Sequence, residues 1–297
     1  MATAEGSAGT LAGAELARRR RSIASWPRRH PRLAIFGGMI LALILIAVAA
    51  PWISPGHPTR TAPRDRSLGP SWEHPLGTDP LGRDNLTRVF WGARVSLAVG
   101  LIAVLIGSSI GVTLGVIAGY AGGWIDMVIS RLLDAVLAFP GLIFLIAVSA
   151  FLGPSLRNSM IAIGVLTVPA YARLARGQVL QAREFEYVTA ARVLGAGRGR
   201  VITRHIFPNI TSPLIVQATL ASGAAILAEA TLSFLGLGAQ PPTPDWGSMI
   251  FVAATYLRQN PWFAIGPGVA IFITVFSFNM FGDALRDALD PRLRRAG

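Results

Sequence analysis

The run VSLAVGLIAVLIGSSIGVTLGVIAGYAGGWI, residues 95–125, contains no Asp, Glu or Arg. About 20 mostly apolar residues suffice to cross the hydrocarbon core of a bilayer as a helix. Gly107, Gly111, Gly115, Gly119 and Gly123 recur at every fourth position of the run. Such positions lie on nearly one helix face, and a face without side chains lets a second backbone come close. The run therefore reads as a membrane helix packed tightly on another helix.

Working outward, residues 33–59, 135–156, 158–172, 205–228 and 259–282 are equally free of Asp, Glu and Arg. Trimming their polar ends gives six candidate spans: 33–53, 95–119, 132–152, 159–174, 213–235 and 264–281. The fourth is the shortest and holds Pro169, and it spans if Arg157 and Arg173 snorkel from its two ends. The first span follows an arginine-rich start, as a signal peptide would. Its apolar stretch is longer than the 7–15 residues of a signal core, so an uncleaved anchor is expected. The chain is thus expected to be an all-α polytopic membrane protein with six transmembrane helices.

Composition agrees. Of 297 residues, 52% are hydrophobic and 14% charged, against roughly 25% charged in soluble domains. All 27 basic residues are Arg, and there is neither Lys nor Cys. That excludes a phosphate-loop lysine, Schiff-base chemistry, thiol nucleophiles and thiolate metal sites. The arginines also orient the chain. The segment before the first span holds seven, the connection between spans four and five holds seven, and the C-terminal tail four. The first outer loop holds six, partly balanced by Asp65, Glu73, Asp79 and Asp84. Both termini are therefore expected in the cytoplasm. The resulting division is a basic cytoplasmic tail at 1–32, a first span at 33–53, an extracytoplasmic loop at 54–94, a core at 95–282 and a cytoplasmic tail at 283–297. Within the core, 175–209 is a cytoplasmic connection and 236–263 an extracytoplasmic one. The tail cluster Arg18 to Arg21 with Arg28, Arg29 and Arg32 abuts a span, so it reads as an anionic-lipid and topology signal and not as a nucleic-acid site.

Catalytic residues are scarce. His30, His57, His74 and His205 are scattered and form no zinc-type pair, and no Gly-x-Ser-x-Gly elbow occurs. No catalytic group, metal site or cofactor is expected in this chain. Two carboxylates fall in or near spans. Asp134 stands three residues from Arg131, a spacing that permits an ion pair on one helix face. Glu229 has no opposite charge at three or four residues, so it is expected to face the bundle interior, a water-filled path or a partner subunit, with a pore-lining or an intersubunit role.

The cytoplasmic connection reads RLARGQVLQAREFEYVTAARVLGAGRGRVITRHIFPN, residues 173–209. Leu180, Val188, Ala191 and Leu194 fall near one helical face, and Gly195, Gly197 and Gly199 then break the helix. Two short amphipathic helices joined by a glycine bend would present a rigid knob to a cytoplasmic partner. The alternative is a helix lying on the lipid interface.

This segment resembles the coupling loop of permease subunits from bacterial ABC importers. That family's pattern is Glu-Ala-Ala, three residues, Gly, nine residues, then Ile-x-Leu-Pro. Here Ala190, Ala191, Gly195 and Pro208 stand at the matching spacing, while Thr189, His205 and Phe207 replace Glu, Ile and Leu. The peptide-transport branch reads Glu-Tyr-Val-x-Ala-Ala, which is similar to Glu186 through Ala191 here, with Glu184 and Tyr187 nearby. The stretches HPLGTDPLGRDNL (74–86), GARVSLAVG (92–100) and LGLGAQPPTPDWGSM (235–249) resemble the same dipeptide and oligopeptide branch. Nickel and glutathione importers share this subunit type.

The resemblance implies a type I ABC-importer permease fold in the bacterial inner membrane. It implies a second homologous permease, two cytoplasmic ATPase subunits that carry ATP and Mg, an extracytoplasmic substrate-binding protein and a peptide substrate. Because this chain has no Lys and no nucleotide loop, the ATPase must be a separate chain. The knob would dock in a cleft of that ATPase, where a side chain larger than Ala at Gly195 is expected to disturb bend and surface alike. The outer loops, with Asp79, Asp245 and Trp246, would meet the binding protein, or else form a structural cap with an aromatic anchor. A standalone ion-coupled transporter would need internal repeats and broken helices with a central ion site, and the chain shows neither a convincing repeat nor enough intramembrane charge.

Overall fold

The computed structural model describes residues 31–289; the basic cluster at 18–29 and the last eight residues lie outside the described residues. The described residues are almost wholly helical. In chain order they form α1 (Pro31–Ile53), α2 (Asn85–Ala121), α3 (Gly123–Leu137), α4 (Gly141–Leu152), α5 (Leu156–Ala182), α6 (Glu186–Val193), α7 (Arg198–Val201), α8 (Phe207–Phe234), α9 (Trp246–Thr255) and α10 (Trp262–Leu289). A π-helical turn, Ile202–Ile206, joins α7 to α8 without a break.

By length and composition α1, α2, the joined α7–α8 and α10 are each able to cross a membrane, and α3 with α4 adds a fifth if the bent pair is one span. The 27-residue α5 has the length, but its arginines and Asn158 make it less apolar. The continuous third span expected at 132–152 is not what the structure contains. An 87° bend separates α3 from α4. Pro140 explains it: its ring disfavours helical backbone at Phe139, and its missing N–H removes a helical bond. Residues 283–289, expected in a tail, are the last turns of α10.

At 37 residues α2 is ~55 Å long, well beyond the ~30 Å hydrocarbon core. Its first turns therefore stand in the outer loop region. Asp84 caps it, accepting the Thr87 N–H at 2.7 Å and contacting His74 Nδ1 at 3.0 Å.

The glycine row decides the main packing. A β-carbon at Gly111 would lie 2.6 Å from Tyr171 Cβ and 2.6 Å from the Val168 carbonyl oxygen, both on α5. At Gly119 it would lie 2.9 Å from the Arg176 carbonyl, while Gly107 faces Thr167 and Gly115 faces Ala172. The two backbones are in contact over four turns. Gly123 does not belong to the row. The helix ends at Ala121, and Gly122 and Gly123 turn the chain with φ of +65° and +54°.

Around this pair Tyr171, Val179, Ile206, Ile210 and Leu214 form one apolar cluster, and Val188 and Val201 from the cytoplasmic connection join it. A second cluster, with Val99, Leu145, Ile163 and Leu232, ties α4 and α8 to the same two helices.

Candidate functional site

The cytoplasmic connection is more compact than the sequence suggested. Its first eight residues, 175–182, belong to α5 and its last three to α8. What projects is α6 and the turn after it. Gly195, with φ +82°, makes the bend. Gly197 is extended at the start of α7, and Gly199 lies within that helix, so a single glycine breaks the chain where three were expected to. The second short helix does not stand alone but runs on into α8.

The projection is fixed to the membrane helices. Val188 is fully buried beneath α6. The Arg183 guanidinium donates to the Gly119 carbonyl at 3.2 Å, and the Arg192 guanidinium lies over the Tyr120 ring, 5.5 Å from its centre. The Tyr187 ring makes tilted contacts with Phe185, centroids 5.6 Å apart, and with His205 at 6.4 Å. Glu184, Glu186, Ala190, Gly195 and Pro208 are exposed, and Ala191 is half-buried.

Leu194 departs from the expected inward face. It is 87% exposed and its neighbour Val193 82%. Helical periodicity placed Leu194 beside Val188, but α6 ends at Val193, so the period no longer applies. Val193 and Leu194 form an exposed apolar tip at the end of the projection, and Arg192, Arg198 and Arg200, close by in sequence, are exposed too. Sequence reasoning missed it because no pattern distinguishes an apolar residue on a tip from one in a core.

Of the two other charged candidates, Asp134 takes a different partner from the one expected. Asp134 bonds Arg173 of α5 at 2.7 Å, not Arg131, because the helix it sits on packs across α5. Two turns earlier Asp126 takes a two-pronged bond from Arg176, at 2.5 and 2.6 Å. Glu229 is fully buried inside this subunit, where Ser233 Oγ donates to its Oε1 at 2.6 Å.

On the outer side the three residues considered for partner contact are interior. Asp79 accepts the backbone N–H groups of Leu81 and Arg83 at 2.9 Å each and the Arg83 side chain at 2.5 Å, with Arg88 Nε at 4.0 Å. It therefore folds the loop 77–88 into shape. Asp245 caps α9 by accepting the Ser248 N–H at 2.8 Å. Trp246 is 1% exposed and donates from Nε1 to the Val89 carbonyl at 3.0 Å. Gly92 makes room for that indole, since a β-carbon there would lie 2.7 Å from Trp246 Cδ1. The 74–86, 92–100 and 235–249 stretches thus pack on one another as one outer cap. Asp79→Ala would leave Arg83 and Arg88 without their carboxylate and lower the melting temperature of the purified chain. Breaking a buried pair from one side costs about 3–5 kcal/mol, so an unchanged melting curve would contradict this account.

Comparison with known proteins agrees with this geometry. The family model described as "Binding-protein-dependent transport system inner membrane component" matches residues 111–295. The dipeptide transport system permease protein DppC of Alkalihalophilus pseudofirmus is 50% identical over 264 residues, covering 89% of this chain and 87% of the relative. The glutathione transport system permease protein GsiD of Salmonella typhimurium is 46% identical over 268 residues, covering 90% and 88%. Among solved structures, the MetNI methionine ABC transporter in an inward-facing conformation aligns with a TM-score of 0.53 at 19% identity, over 68% of this chain and 96% of that one. An amino acid ABC transporter structure aligns with a TM-score of 0.53 at 17% identity, over 71% and 94%. Those two likenesses bear on fold alone. With the helical architecture, the projecting turn between α5 and α8 and relatives matched over most of its length, this chain belongs to the binding-protein-dependent transport system inner membrane components, the permeases of ABC transporters.

Proposed function

We propose that this chain is the transmembrane permease subunit of an ATP-driven importer that moves dipeptides or oligopeptides into the cytoplasm by alternating access. The observation that carries the reading is the 50% identity to a dipeptide permease over 89% of the chain. In this reading α5 supplies the sixth span and both termini are cytoplasmic. A second homologous permease completes the path. Two separate ATPase subunits receive the projection, with Val193 and Leu194 as the apolar anchor and the nearby arginines and Glu184 as a charged rim. A few anchor side chains seated in dry pockets dominate such interfaces, and an aliphatic side chain can serve as one, with polar rims contributing less. ATP and Mg act in those partners and not in this chain.

An extracytoplasmic binding protein delivers the substrate to the outer cap. Because Asp79, Asp245 and Trp246 are interior, contact falls instead to exposed loop residues such as Trp72 and Leu81, 102% and 45% exposed. A photocrosslinker at Trp72 is expected to capture the binding protein, and one at buried Ala93 is not.

Glutathione is the second reading, favoured by the 46% identity to the Salmonella permease. Uptake of labelled dipeptides, longer peptides, glutathione and nickel by the reconstituted complex separates the cargoes. Peptide uptake that requires ATP is the expected result; uptake of glutathione or nickel alone would replace it.

A further inference from the structure

Glu229 of α8 and Asp245 at the start of α9 are both fully buried. The close approach of Gly247 to Ala230 brings the two acids together, and each feels the other's charge. Each uses one oxygen conventionally: Ser233 donates to Glu229 Oε1, and the Ser248 N–H donates to Asp245 Oδ2. The remaining oxygens, Glu229 Oε2 and Asp245 Oδ1, have no donor among the described residues. Two facing carboxylates cannot both stay ionised without water, and two orphan acceptors in a dry site are costly. One proton between them removes both difficulties.

The surrounding charges lead to the same count. Arg88 comes from α2, and Asp79 and Arg83 from the loop before it; Arg88 lies within electrostatic range of Asp245 and Asp79. Helix α9 has no charged residue, α8 has only Glu229, and the charges of α10 are at its far end. Two guanidiniums against Asp79 and one shared negative charge make a neutral cluster. Ionising both acids would leave it negative, and protonating both would leave it positive. The cleft beside Arg88, lined also by Asp79, Arg83 and Met249, has about 20 Å³ of room, enough for about one water.

The position is built for close contact. A β-carbon at Gly247 would lie 2.7 Å from Ala230 Cα, and Ser233 Oγ accepts the Ala239 N–H at 3.0 Å. The connection from α8 to α9 is therefore pressed onto the end of α8 where the acids meet. We infer that Glu229 and Asp245 form a proton-binding site that holds a single proton and clamps the outer connection onto α8. Both act as positioning residues for the cap and neither touches substrate. Burial raises the Asp245 carboxyl above its ordinary range. A carboxyl raised in this way contributes stability that is complete at low pH and is lost as pH rises through the raised value.

The test uses the full chain purified with its assembled partner subunits. Glu229→Gln and Asp245→Asn each replace one acid by a neutral donor, leaving one acceptor and one negative charge. Each should assemble to within about twofold of wild type. In infrared difference spectra against wild type, each should lack a protonated-carboxyl C=O band that shifts in D2O. Wild type should lose thermal stability on the alkaline side, and Glu229→Gln should not. Glu229→Ala, which leaves Asp245 without a donor, should lower folded yield about tenfold or more. Failure of both amide variants to assemble, or spectra with no protonated-carboxyl difference in either, would overturn the proposal.

Discussion

Gly111→Val should leave little folded chain in the membrane. The new β-carbon would sit 2.6 Å from Tyr171 Cβ and from the Val168 carbonyl oxygen, and 3.2 Å from the Ala172 nitrogen. None of these atoms can rotate aside, because all are backbone or attached directly to it. Gly100 is different: its obstacle is the flexible Ile226 side chain at 3.0 Å. Ordinary overpacking costs about 1–3 kcal/mol. Forcing two backbones apart also opens the cluster around Tyr171, so about 3 kcal/mol or more is expected, a large share of the 5–15 kcal/mol typical of a folded domain. Fluorescence-detected size exclusion should show at least about tenfold less monodisperse protein. Gly38→Val on α1, where nothing lies within 4 Å, is the control and should match wild type. Normal yield for Gly111→Val would refute the packing account.

Leu194→Asp should stop transport while leaving the fold intact. The side chain is 87% exposed, and surface substitutions usually stay within ±0.5 kcal/mol of wild type. An anchor residue in a partner's pocket is worth about 2 kcal/mol or more, close to a thirtyfold loss of docking affinity. The expected phenotype is normal membrane yield, weak co-purification of ATPase subunits and less than about a tenth of wild-type uptake. Gly195→Asp should uncouple ATP hydrolysis from transport by another route. No atom lies within 4 Å of its β-carbon position, so the damage comes from φ +82° and not from a clash. Left-handed backbone costs a non-glycine residue about 1–2 kcal/mol. Wild-type uptake by both variants would exclude this projection as the coupling surface.

The parts legible in the sequence were those written in local chemistry. Runs without charge gave the membrane helices, because a buried charge in lipid is costly wherever the rest of the chain lies. The glycine period gave a packing face, because backbone approach needs the same small residue each turn. What failed needed the third dimension. Arg131 and Arg173 are equally plausible partners for Asp134 until α3 is seen to cross α5. Asp79, Asp245 and Trp246 look like surface residues in proline-rich loops, yet all three are interior. Their burial depends on Gly92 and Gly247, whose missing side chains admit the indole and the Ala230 backbone. Glu229 looked solitary because its neighbour in space, Asp245, stands sixteen positions along the chain. Pro140 was in plain view, but whether a proline kinks a membrane helix or turns it through 87° depends on what packs on either side.

The contact from Gly107 to Gly119 extends ~18 Å along α2. Sliding α5 by one residue would carry its backbone off that row and onto β-carbons, and rotation would do the same. Helices α2 and α5 therefore travel as one rod. At the cytoplasmic end, Arg183 and Arg192 fasten the Val193–Leu194 tip to its last turn. At the other end, Arg88 and the Val89 carbonyl hold the outer cap through Pro58 and Trp246. A push on the tip reaches the opposite membrane face without being absorbed on the way. The stiffness of that lever comes from four side chains the sequence leaves out.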